Sequence, residues 1–189
     1  MSLDITIGKA VDGIKEFYTS ENRDLFSRIV VTIVRAIDTG GRLFIAGNGG
    51  SAADSLHIAG ELICKLSRVR RPLPAESLCA DIACITSIAN DFGYQYIFSR
   101  QLEAKANGKD IFLGLTTSGN SANIIEALGE CNRLRIPSVI FTGYHGGYAK
   151  ELANYCLIAP GETANEIQQI HIILYHALCK EIEDTLCPV

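Results

Sequence analysis

The sequence of 189 residues has no tryptophan, one methionine and no long uninterrupted run of apolar residues. A membrane-spanning helix needs about 20 consecutive apolar residues, so we expect no such helix in this chain. The start of the chain also lacks the basic segment and apolar run that together mark a secretory signal. These absences favour a cytoplasmic protein.

The chain also lacks an excess of basic residues and a paired-cysteine motif. The chain has 17 Lys and Arg against 21 Asp and Glu, a net charge of -4, which argues against a dedicated nucleic-acid-binding protein. Its seven cysteines are widely spaced without a C-x-x-C pair, so we expect reduced thiols in the core rather than disulfides or a zinc ribbon. With 48% hydrophobic and 20% charged residues, the composition is that of one globular domain.

Short apolar runs that end at glycine or at Ser/Thr/Gly clusters predict strands buried on both faces. The strongest runs are residues 42–47, 111–116 and 138–143, and weaker candidates are residues 76–79 and 155–159. Segments of helical period separate them, at residues 25–37, 52–66, 83–89, 121–134 and 166–186. Strands alternating with helices predict an α/β fold, with a parallel sheet covered by helices on both sides.

The predicted sheet core, about residues 41–160, is preceded by a helical segment at about 5–38 and followed by a helix at about 163–186. Apolar Ile14, Phe17 and Tyr18 in the first segment have no obvious strand to cover. We expect them to pack either on a partner subunit or as a cap over the same subunit.

Two loops that follow predicted strands suit a phosphorylated ligand. The first is Gly47-Asn48-Gly49-Gly50-Ser51, where glycine lets backbone N–H groups approach a ligand at the start of a helix. The second, residues 116–121, carries four hydroxyl groups in six residues, with Ser121 at the predicted N-cap of the next helix. It has no lysine and is not a nucleotide-binding P-loop. Ligands of open α/β sheets bind at such strand ends, so the pair of loops predicts a small phosphorylated ligand.

Histidine and glutamate share one face of the helix after the first loop, since His57 and Glu61 are four residues apart. With Gln168 and His176 of the last helix they form a possible nitrogen and oxygen ligand set for a divalent metal such as zinc. Residues 168 and 176 of a straight helix are about 12 Å apart along its axis. A shared ion therefore requires a distorted helix, long side-chain reach or ligands from two subunits. His171 and His145 are interpreted as structural and solvent-exposed, respectively.

Six motifs in consistent order support a more specific hypothesis. They are GNGGSAAD at residues 47–54, HxxxE at 57–61, NDFG at 90–93, FSRQxEA at 98–104, TSGNSAN at 117–123 and IQxIHxxxxH at 167–176. Over about residues 41–184 the chain resembles the sugar isomerase (SIS) domain proteins and, among them, the phosphoheptose isomerases.

The resemblance implies a three-layer, flavodoxin-like sandwich with a five-stranded parallel sheet, assembled as a homotetramer with active sites at subunit interfaces. The implied reaction converts sedoheptulose 7-phosphate into D-glycero-D-manno-heptose 7-phosphate, a precursor of lipopolysaccharide and other surface glycans.

Site residues follow from the resemblance by motif position. Sugar contacts would come from Asn48, Gly49, Gly50, Ser51, Asn90 and Asp91, and phosphate contacts from Thr116, Thr117, Ser118 and Ser121. The zinc ligands would be His57, Glu61, Gln168 and His176, with Gln168 and Glu61 also near the substrate. An aldose–ketose exchange needs a base near C1 and C2 and a donor near the oxygens, and Glu61 and His176 are the candidates.

Two positions depart from the family pattern. Asn165-Glu166 stands where many members have arginine, in some of them preceded by aspartate, and Lys65 replaces a common arginine. Both changes bear on substrate identity.

Two other classes share the fold: a non-catalytic scaffold that binds a replication initiator and a sugar-phosphate-sensing domain. The retained ligand and acid/base set favours the enzyme, and no DNA-binding module fits in 189 residues.

Overall fold

A computed structural model describes residues 2–188 as a parallel sheet between two layers of helices. The strands are β1 (Leu43–Gly47), β2 (Ala75–Ser77), β3 (Ile111–Thr116), β4 (Ser138–Gly143) and β5 (Tyr155–Ala159). The helices are α1 (Leu3–Phe17), α2 (Ser20–Asp38), α3 (Gly50–Ile63), α4 (Ile82–Asp91), α5 (Ser99–Lys105), α6 (Ala122–Leu134), α7 (Ala149–Leu152) and α8 (Ala164–Leu186), with a 3-10 turn at Tyr94–Tyr96.

All five strands are parallel and lie in the order β2-β1-β3-β4-β5, which confirms the predicted fold class. Every residue of β1, β3 and β4 is buried, as expected for strands covered on both faces. Gly47 of β1 pairs with Leu115 of β3. The loops that follow these two strands therefore leave the sheet side by side, at its carboxyl edge.

Two apolar clusters, one on each face of the sheet, form the core. One cluster joins α2, α3 and α8 to the sheet and includes Phe17 from the end of α1. The other joins α5, α6 and α7 to the opposite face. Because α3 and α8 share one layer, residues far apart in sequence contact each other along these two helices.

The N-terminal segment forms two helices rather than one, because the Thr19 hydroxyl accepts the backbone N–H of Asn22 and starts α2 anew. Phe17 joins the core of its own subunit, whereas Tyr18 is exposed. Further apolar side chains of α1 are also exposed, namely Leu3, Ile5, Ile7, Val11 and Ile14. The cap prediction therefore fits one end of α1, and most of its apolar residues are not covered by any of residues 2–188.

The seven cysteines are all free, as predicted, but only Cys131 and Cys179 are fully buried. Cys64 is exposed and the other four are partly buried, so the expectation of core thiols is correct for two of the seven. Burial raises the pKa of the Cys179 thiol to about 12, which keeps it protonated and unreactive at neutral pH.

Among residues 2–188 no helix is long and apolar enough to cross a bilayer.

Candidate active site

The loop after β1 turns sharply into α3. Gly49 adopts a φ of 57°, and a Cβ on Gly47 would come within 2.5 Å of the Ser51 carbonyl oxygen. A Cβ on Gly50 would meet the side-chain amide of Gln168 at 3.0 Å. The glycines therefore let the α8 side chain of Gln168 approach the start of α3.

The loop after β3 is lined by hydroxyl groups, as predicted. The hydroxyls of Thr116 and Ser121 are 3.0 Å apart, and the Ser118 hydroxyl accepts the backbone N–H of Asn120. Ser121 occupies the N-cap position of α6, but its hydroxyl bonds Thr116 instead of capping the helix. Gly119 has a φ of 68° and packs against Gly146, where a Cβ would be 2.0 Å from the carbonyl oxygen.

Hydrogen bonds between two asparagines connect these loops directly. The Asn48 amide donates to Asn123 at 2.9 Å, and the Asn123 amide donates back to Asn48 at 2.8 Å. The Tyr94 hydroxyl also donates to the Asn48 side-chain oxygen at 2.8 Å. Asn123 and Tyr94 were not assigned to the site from the sequence, although both lie within or next to the quoted motifs.

Asn90 and Asp91 are exposed at the end of α4, where the Asn90 amide donates to the Asp91 carboxylate at 2.7 Å. The turn that follows them contains Tyr94, which reaches Asn48. The end of α4 therefore lies near the first loop, with two polar side chains open to solvent.

Helices α3 and α8 run side by side in the same direction. The contacts advance together along both helices: Gln168 lies 3.5 Å from the Ser51 hydroxyl, Tyr175 contacts His57, and Glu183 accepts the N–H of Leu66. This shared layer places His176 of α8 against the predicted His57–Glu61 face of α3.

His57, Glu61 and His176 form a compact cluster. One donor atom from each residue can be chosen so that all three lie within 4.8 Å of one another. His57 Nε2 is 3.0 Å from Glu61 Oε1, and the rings of His57 and His176 are 5.1 Å apart in an edge-on arrangement. The second carboxylate oxygen, Glu61 Oε2, is buried and has no hydrogen-bond partner in the described part of the chain. A buried, unpaired carboxylate oxygen beside two imidazoles fits the donor set of a divalent cation such as Zn²⁺.

Gln168 lies away from this cluster. It contacts Ser51 at the start of α3, about 12 Å along α8 from His176. Helix α8 runs without a break from Ala164 to Leu186, so it has no distortion that would bring the two side chains together. Gln168 and His176 could therefore bind one ion only through long side-chain reach or if the ligands come from two subunits.

The other two histidines lie outside the cluster. His171 is fully buried, with Nε2 3.0 Å from the Thr142 carbonyl oxygen. Burial lowers the pKa of His171 to about 4, although the hydrogen bond to Thr142 acts in the opposite direction. His171 is therefore neutral at physiological pH and packs as part of the core, while His145 is exposed in the loop after β4.

Glu166, which stands where many family members have arginine, makes its contacts outside the two loops. Its carboxylate accepts Lys9 Nζ from α1 at 2.9 Å and the backbone N–H of Glu162 at 2.8 Å. The hydrogen bond from Lys9 lowers the pKa of Glu166. Glu166 therefore joins α1 to the start of α8, whereas Asn165 and Lys65 are exposed.

Two further residues at the cluster were missed by the sequence analysis. Tyr175 contacts both imidazole rings, and its hydroxyl lies between Asp54 and His57. Burial raises the pKa of Tyr175 to about 12, and burial also raises the pKa of Asp54. Asp54 ends the GNGGSAAD motif, but no sequence pattern placed it or Tyr175 at the cluster, because their contact depends on how α3 and α8 pack.

Comparison with known proteins gives consistent results. The family model described as SIS domain matches residues 8–143. A phosphoheptose isomerase from Aquifex aeolicus is 42% identical over 155 residues, which cover 82% of this chain and 81% of the relative. Solved phosphoheptose isomerases from Francisella tularensis and Neisseria gonorrhoeae are each 29% identical, with TM-scores of 0.92 and 0.90. Each covers 96% of this chain, which in turn spans 96% and 97% of theirs. The chain belongs to the SIS domain family and, within it, to the phosphoheptose isomerases.

Proposed function

We propose that this protein isomerises sedoheptulose 7-phosphate to D-glycero-D-manno-heptose 7-phosphate and so supplies heptose for surface glycans. The observation that carries the proposal is the cluster of Glu61, His57 and His176, with one buried carboxylate oxygen free, in a chain of the phosphoheptose isomerase family. A carboxylate beside an imidazole provides both a base and an acid, which the transfer of a proton between adjacent carbons requires.

The reaction moves one proton between carbons and one between oxygens. Glu61 takes a proton from C1 of the ketose, which leaves an enediolate with its charge on O2. The same carboxyl group returns the proton to C2, while the O1 proton leaves and O2 gains a proton, with His176 as the exchanging acid and base. The products of these steps are the C1 aldehyde and the C2 hydroxyl of the aldose, so no redox cofactor is needed.

The phosphate is proposed to bind at the loop after β3. Thr116, Thr117, Ser118 and Ser121 offer hydroxyl donors, and the start of α6 adds a partial positive charge. Anchoring of the remote phosphate would orient the sugar and fix the position of its reactive carbons. The exposed amides and carboxylate of Asn90 and Asp91, with Asn48, Gly49, Gly50 and Ser51, are proposed to contact the sugar hydroxyls.

Zinc is proposed to bind at His57, Glu61 and His176, with Gln168 as the fourth ligand. The free oxygen of Glu61 and the proximity of the two imidazoles support this assignment. When bound, a divalent ion would polarise the carbonyl oxygen of the substrate and stabilise negative charge on it.

A complete site is proposed to require two copies of the chain. Within one copy, Ser51, Gln168 and the hydroxyl loop lie near the carboxyl edge of the sheet, while Glu61 is about 16 Å along α3 from Gly50. A second copy would bring its own Glu61 and His176 to the loops of the first. The exposed apolar residues of α1 support such an assembly, for which we propose a homotetramer.

Activity and metal are tested together on the purified protein. With sedoheptulose 7-phosphate we expect aldose formation that falls by about tenfold or more after zinc is removed and recovers when zinc is restored. His57→Ala should hold less zinc than wild type, with His145→Ala as the matched control because His145 is an exposed loop residue. An inert protein that binds a replication initiator would contradict the enzyme and favour the scaffold class. Equal zinc content in all three proteins would remove His57 from the ligand set.

The shared site predicts recovery of activity in hybrids of two inactive variants. One variant is Glu61→Gln, which inactivates the acid/base half of the site. The other is the Ser118→Ala, Ser121→Ala double variant, which removes hydroxyl donors from the phosphate half. In hybrids that assort at random, about a quarter of the sites combine two intact halves. Co-expression with two different affinity tags allows the hybrids to be purified and assayed. Hybrids as inactive as the parent variants would contradict the two-copy site.

A further inference from the structure

Tyr175 packs beside the two histidines of the cluster and is almost completely buried, with 2% of its surface exposed. Its ring is 4.6 Å from that of His176 and 5.5 Å from that of His57, in edge-on or tilted packing. Its hydroxyl lies 3.3 Å from His57 Nδ1 and 3.4 Å from the Asp54 carboxylate. One side chain of α8 therefore contacts both imidazoles and connects His57 to a carboxylate on α3.

The direction of these hydrogen bonds follows from the chemistry of the groups. An ionised carboxylate can only accept, so the Tyr175 hydroxyl donates to Asp54. The tyrosine oxygen then has its lone pair free to accept from His57, which requires the proton of the neutral imidazole to be on Nδ1. The lone pair of Nε2 is left facing Glu61 Oε1 at 3.0 Å. Two acceptors at this distance need a cation between them, either a second ring proton or a metal ion.

We infer that Tyr175, supported by Asp54, is a positioning residue that holds His57 in the Nδ1-protonated tautomer and so prepares Nε2 for a metal ion. The inference rests on the proposed metal site and deepens it, because it assigns the groups that orient one of its ligands. Partners of this kind behind a ligating histidine fix the tautomer and ring orientation, and their loss typically weakens metal binding by about 10- to 100-fold.

The first test compares zinc affinity in matched tyrosine variants. Tyr175→Phe removes the hydroxyl and keeps the ring that packs on both histidines. Tyr155→Phe is the control, because the Tyr155 hydroxyl instead accepts from Thr32, on the helix α2 side of the molecule. In competition with a chromophoric chelator, we expect zinc affinity to fall about 10- to 100-fold in Tyr175→Phe and to stay within about twofold of wild type in Tyr155→Phe.

The second test reads the tautomer directly in the metal-free protein. Nitrogen-15 NMR of labelled histidine at about pH 8, where an ordinary imidazole is neutral, distinguishes a protonated Nδ1 from a protonated Nε2. We expect Nδ1 of His57 to carry a proton in the wild type and in Tyr155→Phe, with a second proton between Nε2 and Glu61 where no metal ion replaces it, and we expect the Nδ1 proton to be lost in Tyr175→Phe. Asp54→Ala should shift the tautomer in the same direction, since the tyrosine hydroxyl is then free to donate to the imidazole.

The outcomes separate this inference from the proposed function. An unchanged zinc affinity in Tyr175→Phe would overturn the inference, and so would a fall in affinity with an unchanged His57 tautomer, which would indicate packing alone. A wild type that binds no zinc would overturn it as well. A wild type that binds zinc with the expected tautomer but does not isomerise the sugar phosphate would contradict the proposed function and leave this inference supported.

Discussion

Glu61→Gln is expected to lower kcat by about 10²- to 10⁴-fold, the range that a positioned general base contributes. The substitution keeps the size and shape of the side chain but replaces the carboxylate with an amide, which cannot accept the C1 proton. Glutamine can still donate or accept one hydrogen bond at His57, so we expect the fold to be unchanged. The measurement is the initial rate of aldose formation, with circular dichroism and thermal unfolding to check the fold.

A zinc determination separates the two roles proposed for Glu61. A variant that keeps its zinc and loses turnover would support the role as a base, and one that loses both would support the role as a ligand. Glu181→Gln, an exposed glutamate of α8, is the matched control and should turn over at the wild-type rate. Turnover of zinc-loaded Glu61→Gln within about threefold of wild type would show that another group abstracts the proton.

Arg70→Ala is expected to lower the free energy of unfolding by about 3–5 kcal/mol, because it leaves the buried carboxylate of Glu183 without its partner. Arg70 Nε is 3.0 Å from Glu183 Oε2, with side-chain exposures of 3% and 0%. The guanidinium also donates to the carbonyl oxygens of Glu61 at 2.8 Å and Leu62 at 2.7 Å. The pair thus joins the end of α3 to the end of α8, the two helices that hold the His57–Glu61–His176 cluster.

Chemical denaturation of Arg70→Ala measures the effect. Arg133→Ala is the control, because the side chain of Arg133 is 57% exposed and its ion pairs with Glu130 and Glu103 should contribute about 1 kcal/mol or less. Arg70→Lys should lie between Arg70→Ala and wild type, since lysine keeps the charge and loses the planar fork. A loss in Arg70→Ala no larger than in Arg133→Ala would contradict the stabilising role of the buried pair.

The same pair predicts how stability depends on pH. Burial alone would raise the pKa of Glu183, but hydrogen bonds from the Ser67 hydroxyl and from the N–H groups of Leu66 and Ser67, with the Arg70 charge, hold it at about 2. Because the pKa is lower in the folded than in the unfolded chain, the carboxylate stabilises the fold above its ordinary pKa of 4.5. That contribution is lost as the pH falls from 4.5 towards 2, and this part of the acid dependence should be absent in Arg70→Ala, Glu183→Gln.

The fold could be predicted well where burial dominates the local sequence. Strands β3 and β4 have the predicted bounds, because an apolar run covered on both faces and closed by threonine or glycine has few other solutions. Strand β5 also has the predicted bounds, although it is a partly exposed edge strand. The strand β2 spans Ala75–Ser77 rather than residues 76–79, since a strand of three residues that includes Glu76 and Ser77 has no clear apolar pattern. The short helices α5 and α7 were not predicted, because seven and four residues are too few for a clear helical period.

The candidate site was predictable only in part, since its geometry depends on the packing of helices. The i, i+4 spacing of His57 and Glu61 is a property of one helix and could be recognised directly. The contact of His176 with them, and the positions of Tyr175 and Arg70, follow from α3 and α8 running side by side, which no local pattern encodes. The same register places Gln168 at Ser51, about 12 Å along α8 from His176, a separation that helical geometry had already indicated.

A crystal structure of Glu61→Gln with sedoheptulose 7-phosphate tests most directly whether the hydroxyl loop and the Glu61–His176 pair act on one sugar. We predict the phosphate within hydrogen-bond distance of Ser118 and Ser121 of one copy, and C1 and C2 beside residue 61 and His176, contributed by a neighbouring copy. A bound sugar whose C1 and C2 are remote from residue 61 and His176 of every copy in the assembly would contradict the account.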